Sequence, residues 1–512
     1  MNIAGILAEQ AQQRPEAPAI IEASGTTTFA ELDRRSRQAA ALLRAAGIGA
    51  GDAVLIFQPM SAELYTALLA VFRLGAVAMF LDPSAGRAHL EACCALQAPR
   101  ALVAAAKAHL LRLRSAALRR IPAKFSIGWW VPGAKRWRAL EQGAPLEECA
   151  PVNAETPALL TFTSGSTGRP KAAVRTHGFL IEQHRVLARS IALEAGEVDL
   201  ATLPIFTLAN LASGVTSVIP DADLRRPGAI EAAPVLRQIR RYHITRCAAS
   251  PAFFERLLEA DDGALQSMRK MYTGGAPVFP ALLTALRQQA SGAVVEAVFG
   301  STEAEPIAHV EEREISAEDR AAMIAGRGLL TGEPVREIQL RILRNRWGTP
   351  LGPWTGEEFA RECEPASAAG EIVVAGGHVL HGYLHGQGDE ETKFRVDGVV
   401  WHRTGDAGYL DERGRLWLLG RCAARIEDAR GTLWPFAVEC AAMNVEGVVR
   451  AALAQVDGRR VLAVQVRSVD AERIRAALTW AQLDEVRTVP RIPLDKRHNA
   501  KVDYPALREM LK

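Results

Sequence analysis

The chain has 512 residues, 49% of them hydrophobic and 23% charged, which excludes a disordered chain and provides for a large core divided over more than one domain. Its 61 lysines and arginines against 58 aspartates and glutamates leave a formal net charge of +3, so no global field points to nucleic acid, and a small-molecule substrate fits better. Seven cysteines, an odd number with Cys93 beside Cys94 and no CxxC pair, argue against a disulfide framework or a zinc site; the expected setting is a reducing cytoplasm.

Taken in chain order, the first ten residues lack a basic run and meet Glu9 early, so they do not read as a secretory signal, and no run of about 18 apolar residues predicts a membrane span. Residues 29–46 have helical apolar spacing ended by Gly47, and residues 51–57 read as a short strand. A helix over 62–74 and a strand over 75–81 continue the alternation, which recurs through a strand over 294–299 and predicts a largely parallel α/β sheet. Residues 107–138 mix many arginines and lysines with Trp129, Trp130 and Trp137. They read as a solvated helix followed by a surface loop, with peripheral membrane contact as the alternative. Past Gly332 short strands predominate (371–374, 399–401, 415–419), predicting a β-rich subdomain over about 332–420. A boundary at Gly420 then leaves residues 421–512 as a small domain of mixed helices and strands, with an apolar strand over 461–466.

The segment Leu160-Thr161-Phe162-Thr163-Ser164-Gly165-Ser166-Thr167-Gly168-Arg169-Pro170-Lys171 reads as a phosphate cradle. Glycines at 165 and 168 permit a tight turn, hydroxyls at 163, 164, 166 and 167 offer neutral donors, and Lys171 brings a positive charge. It is no Walker loop: only Arg169 and Pro170 separate Gly168 from Lys171, and Ala172 stands where Ser or Thr would hold magnesium. His378, His381 and His385 flank a predicted turn without a carboxylate or thiolate companion and are expected to face solvent rather than bind metal.

Further segments follow in order: Gly274-Gly275-Ala276-Pro277, Phe299-Gly300-Ser301-Thr302-Glu303, Gly370-Glu371-Ile372 with Gly382-Tyr383, Thr404-Gly405-Asp406, Gly420-Arg421, and His498-Asn499-Ala500-Lys501. Singly, each is an ordinary turn or a surface lysine; jointly and in this order, with the Thr163-to-Lys171 loop, they resemble the adenylate-forming superfamily of acyl-CoA synthetases, peptide-synthetase adenylation domains and luciferases. The resemblance covers nearly the whole chain. It implies an α/β fold in which a large N-terminal domain (1–420) of parallel α/β layers is joined to a small mobile α+β lid (421–512). It also implies that a carboxylate attacks the α-phosphate of ATP and pyrophosphate leaves. By the same resemblance Gly274, Gly275 and Ala276 lie beside adenine, Phe299, Gly300 and Ser301 belong to the nucleotide site, and Thr302 binds the α-phosphate. Glu303 holds Mg2+, Asp406 and Arg421 take the ribose, and Lys501 bridges the attacking carboxylate and the phosphate.

Substrate choice is read from departures. Where amino-acid-activating relatives place an aspartate after Phe206, this chain has Thr207, so a substrate ammonium would lack its counter-ion. With Asn210, Leu211 and Phe253, and the neighbouring Leu208, Ala212 and Phe254, the expected pocket is mostly apolar and suits a fatty acid. At the junction Ala423 stands where the family has an acidic hinge, which weakens the case for CoA as acceptor. These departures, with Asp221-Ala222-Asp223 and the Arg497-to-Lys501 ending, are similar to the β-lactone synthetases of long-chain olefin biosynthesis. That branch implies a β-hydroxy acid closed to a lactone, and association with other olefin-pathway enzymes. A fatty acyl-CoA or acyl-carrier-protein ligase is the alternative, and a non-catalytic nucleotide or lipid binder a third reading.

Overall fold

The computed structural model describes residues 2–82, 86–164, 170–494 and 501–512, with backbone alone at Thr163 and Ser164. Gly165, Ser166, Thr167 and Gly168 of the cradle, and the His498-Asn499-Ala500 that precedes Lys501, lie outside the described residues. The chain packs as two units, one of Met1–Asp221 with Gly377–Glu390, the other of Ala222–Gly376 with Glu391–Lys512.

In the first unit the strand Ala53–Phe57 is buried at every position, and its side chains alternate between two cores: Val54 and Ile56 enter one, Leu55 and Phe57 the other. A strand apolar on both faces belongs inside a sheet covered on both sides. It pairs in parallel with Val77–Phe80 and Ala101–Ala105, within a seven-stranded order Lys135–Arg136, Ala123–Ile127, Ala101–Ala105, Ala53–Phe57, Val77–Phe80, Pro157–Ser164, Pro170–Thr176. Helices Ala62–Arg73 and Arg87–Leu96 make the crossovers. The predicted helix begins at Phe29, where the Thr28 side chain accepts from Glu31 N at 3.2 Å and satisfies one of the open N-terminal amides. Ser61 caps Ala62–Arg73 in the same way, accepting from Leu64 N at 3.3 Å. A second sheet carries Val198–Ala201, Thr216–Val218, Pro18–Glu22 and Gly25–Thr28 in that order.

Residues 107–138 differ from the solvated helix and surface loop expected of them. They form short helices Leu111–Arg114 and Ala116–Arg120, and then the strand Ala123–Ile127, paired in parallel with Ala101–Ala105. The apolar alternation there spans only three positions, too few to stand out among the charges, yet Phe125 is buried against Trp137. His378 is also buried rather than solvent-facing, whereas His381 and His385 are exposed as expected. Among the described residues no helix is long and apolar enough to cross a membrane, and all seven cysteines are free thiols.

In the second unit parallel strands Arg246–Ala249, Lys270–Gly274 and Val294–Ser301 are separated by helices Pro251–Leu258 and Pro280–Gln289. The chain then reverses into Ala304–Glu311, and the strands Leu329–Pro334, Leu416–Arg421, Val399–Leu410, Gly370–Ala375 and Gln339–Leu343, with Lys393–Val396 beside Val399–Leu410, are antiparallel. This is the β-rich texture anticipated past Gly332. After Arg421 the segment carries its own sheet of Val448–Val456, Arg459–Val466 and Glu485–Thr488, with two apolar clusters of its own.

Candidate active site

The second unit gathers most of the predicted nucleotide residues at the carboxyl ends of adjacent strands, where open α/β sheets bind ligands. Gly274 pairs with Val298 across Lys270–Gly274 and Val294–Ser301, and a Cβ on Gly274 would lie 2.5 Å from the Val298 carbonyl, so only glycine fits. Gly275 follows in the left-handed region at φ +80°, with Ala276 after it, turning the chain beside the next strand end. There Phe299, Gly300 and Ser301 lead into a reversal at Thr302-Glu303, because Ser301 pairs with Ala304 and its Oγ accepts from the backbone amides of Glu303 and Ala304 at 3.3 and 3.2 Å. The signature therefore occupies a tight hairpin end that presents Thr302 and Glu303 partly exposed.

Asp406 and Arg421 are cross-strand neighbours between Val399–Leu410 and Leu416–Arg421, and Arg421 Nη1 donates to Asp406 Oδ1 at 3.0 Å and to the Thr404 carbonyl at 3.1 Å. A carboxylate held by a guanidinium keeps a free oxygen for a ribose diol. Glu303 is close enough to influence Arg421 and His402 electrostatically, which places the hairpin end and the Asp406–Arg421 pair in one neighbourhood. His402 is buried, and burial pushes its imidazole down to about 3, so it stays neutral beside the cations Lys393 and Arg421.

Lys501 is exposed, and its charge reaches Glu305 on the strand that leaves the hairpin. Glu305 keeps part of its surface, but enclosure of its carboxyl raises it to about 7, against the pull of Lys501. Its oxygens pack on Gly300, where a Cβ would sit 2.6 Å from Oε2. Immediately after Lys501 the helix Tyr504–Leu511 starts at Asp503, which caps Ala506 N at 3.0 Å, and Tyr504 donates to Glu439 Oε1 at 3.0 Å. Glu439 also accepts from Leu453 N at 3.0 Å, so one buried carboxylate ties the Lys501 helix to the sheet of its own segment.

Burial lifts Glu439 to about 7, the two hydrogen bonds pulling the other way. A carboxyl raised in the folded state adds stability at acid pH that is lost as the pH climbs through that value. Glu439→Gln, which cannot ionise, is therefore expected to gain on the wild type by about 1 kcal/mol per pH unit between about pH 5 and pH 7. Urea midpoints of the two proteins across that range check it; a difference that does not change with pH contradicts it.

In the first unit Lys171 is buried on the strand Pro170–Thr176, opposite Thr163 on Pro157–Ser164. Its ammonium lies 5.9 Å from the Tyr383 ring centre, and its side chain runs across Gly388, at φ +93°, so closely that any Cβ there would collide with it. Tyr383 and Gly388 thus shape a slot for the lysine. Tyr383 stood in a recognised segment, but Gly388 carried no sequence signal, since its partner lies on a distant strand.

Thr207 is fully buried in helix Pro204–Ser213, with Oγ1 near the Leu203 carbonyl at 3.5 Å. Tyr65 OH donates to the Pro204 carbonyl at 3.1 Å, fixing the first turn. Asn210 spends its amide on Asp199 Oδ2 and Ser217 Oγ, at 2.8 and 3.1 Å, and so anchors the helix to two strands. Leu208, Leu211 and Ala212 line an apolar cavity with Ile3, Leu69 and Leu180, while Phe206 is buried in the same helix. In the second unit Phe253 and Phe254 are fully buried and meet edge to face at 6.3 Å.

The family described as AMP-binding enzyme matches residues 7–384, and this chain belongs to it. It thus joins a family of ATP-using, acid-activating enzymes. Among its members, the olefin beta-lactone synthetase of Stenotrophomonas maltophilia is 34% identical over 542 residues, spanning 98% of this chain and 96% of the relative. That of Xanthomonas campestris pv. campestris is 32% identical over 544 residues, with the same coverage. The amide bond synthetase McbA from Marinactinospora thermotolerans shares the fold over the whole of both chains, at a TM-score of 0.81 and 22% identity.

Proposed function

We propose that the chain activates a fatty β-hydroxy acid as its acyl-adenylate and closes it to a β-lactone. The substrate carboxylate oxygen attacks the α-phosphorus of ATP and pyrophosphate leaves. The β-hydroxyl oxygen then attacks the activated carbonyl, the carbonyl–phosphate bond breaks, the hydroxyl proton is lost, and AMP departs. Because attacking and leaving groups share one molecule, no CoA is needed, and the high effective concentration offsets part of the ring strain. The observation that carries the reading is the end-to-end similarity to two olefin beta-lactone synthetases. The buried, uncharged Thr207 agrees with it, since an amino acid's ammonium would have no anion there.

In this reading Thr302 donates to the α-phosphate, Asp406 and Arg421 hold the ribose, Lys171 and the cradle bind the departing phosphates, and Lys501 bridges carboxylate and α-phosphate. Glu303 would hold Mg2+, which neutralises phosphate charge. Among the described residues no cluster of three or more His, Cys, Asp or Glu side chains suits a metal, and one partly exposed carboxylate matches the habit of magnesium, which binds through one or two carboxylates plus phosphates. Residues 421–512 serve as the mobile lid that carries Lys501 on residues 1–420. A cytoplasmic setting and assembly with other olefin-pathway enzymes complete the proposal.

Pyrophosphate release with a β-hydroxy fatty acid, compared with the same acid lacking the hydroxyl, tests it. Release and turnover with the first and not the second are expected without CoA; a product formed strictly in the presence of CoA contradicts lactone closure and favours the ligase alternative. The Lys171 slot has its own test. Gly388→Ala is expected to displace the lysine and slow pyrophosphate release by about tenfold or more, as misplacement of a charge-stabilising group does. Stopped-flow detection of pyrophosphate checks this, and a wild-type rate would refute the slot.

A further inference from the structure

Of the ten large apolar side chains left exposed among the described residues, four fall within one short stretch: Leu110 at 66%, Leu113 at 76%, Trp129 at 61% and Trp130 at 56%. They belong to two neighbouring segments of the first unit. Arg112 Nη1 donates to the Pro132 carbonyl at 3.0 Å and its guanidinium lies against Gly133, so the helical turn at 111–114 is fastened to the loop that follows Ile127. Arg119 Nη1 in turn donates to the carbonyls of Arg112 and Leu113, at 2.9 and 3.2 Å, and Ser126 Oγ donates to that of Trp129 at 2.8 Å. The exposed leucines and tryptophans are therefore held out by an ordered frame. Trp137, close by in sequence, shows the contrast: it is buried and donates to Glu63 Oε2 at 2.8 Å.

The charge around them is of one sign. Residues 107–138 contain nine lysines and arginines and no aspartate or glutamate, in a chain whose total is +3. Among the described residues none of the nine is in an ion pair; Arg112, Arg119 and Lys124 donate to backbone carbonyls, which leaves their charge uncancelled. Glu91 touches the same segment, but its carboxylate accepts from Ser115 Oγ and Ala117 N. A stable intramolecular role does not call for this combination, since exposed tryptophan and leucine cost solvation and unpaired cations repel. An anionic lipid surface satisfies both halves: the indoles and leucines enter the headgroup boundary and the basic side chains meet phosphates.

We infer that the face built from residues 110–114 and 128–136 docks this chain on an anionic bilayer. Docking would bring the enzyme to the phase in which a fatty acid concentrates, but the inference stands on the exposed frame and its charge and not on the lactone reading. The test is co-sedimentation of the full chain, without substrate, with phosphatidylcholine vesicles that either contain or lack phosphatidylglycerol. Binding to the anionic vesicles alone is expected, weakened by salt. Trp129→Ser with Trp130→Ser, and separately Lys135→Glu with Arg136→Glu, are expected to weaken it by about tenfold each, with no change in pyrophosphate release from a short soluble acid. Wild-type protein that stays in the supernatant, or variants that bind as the wild type does, would overturn the inference. Loss of self-association in the tryptophan variant, measured by light scattering, with no vesicle binding by the wild type, would assign the face to protein contact instead.

Discussion

Lys501→Ala is expected to lower single-turnover formation of the acyl-adenylate by about 100-fold or more, the usual cost of removing a preorganised charge from a site where negative charge develops. The size of the effect follows from where the lysine stands. Its positive charge reaches Glu305, on the strand leaving the Thr302-Glu303 hairpin, and the helix that follows is secured at Asp503 and through Tyr504 to Glu439. An attacking carboxylate and a phosphate are both anions, so in the proposed reading a cation between them offsets their repulsion as they meet. Arginine, although charged, brings a planar fork in place of a point charge and is expected to restore little. Circular dichroism of the variant should match the wild type, because Lys501 is exposed. Quenched-flow measurement of acyl-AMP settles the matter; a wild-type rate in the alanine variant would remove Lys501 from the chemistry.

The largest structural effect is expected at Arg403. Arg403 and Glu371 are both fully buried, joined by Nη2 to Oε2 at 2.6 Å and Nε to Oε1 at 2.9 Å, and Arg403 also donates to the carbonyls of Thr349 and Arg346. Its guanidinium lies 5.2 Å from the Trp347 ring centre. Burial pushes the Glu371 carboxyl up while Arg403 pulls it down, so the acid depends on its partner to stay ionised. Arg403→Leu strands that carboxylate and two carbonyls, and is expected to cost about 3–5 kcal/mol, whereas Arg403→Leu combined with Glu371→Leu should recover much of the loss. The strand concerned also holds Asp406, so nucleotide affinity should fall with the single change. Urea unfolding of the two variants checks both statements; equal stability of the single and double variants would show that the pair is not the frame of this sheet.

What the residues disclosed in advance depended on range. The strand Ala53–Phe57 and the helix Phe29–Ala45 were legible because their causes are local: a short apolar run, and helical apolar spacing ended by Gly47. The pairing of Asp406 with Arg421 was legible only as two motifs, since it takes antiparallel register to make them neighbours. Glu305, Glu439 and Gly388 could not be found that way. Each matters through a contact made by the fold, Glu305 with Gly300 across the hairpin, Glu439 with Tyr504 on the last helix and Gly388 with Lys171 on another strand, and no sequence pattern marks such contacts. His378 was misjudged for the same reason: the turn beside it looked solvated, and the packing that buries it is tertiary.

The central claim is the fate of the acyl-adenylate, and mass spectrometry of the product addresses it most directly. Incubated with ATP, magnesium and a β-hydroxy fatty acid in the absence of CoA, the enzyme should yield the β-lactone, lighter than the acid by one water, with AMP and pyrophosphate in equal amounts. Acyl-AMP that persists until CoA is added, and then gives a thioester, would contradict it.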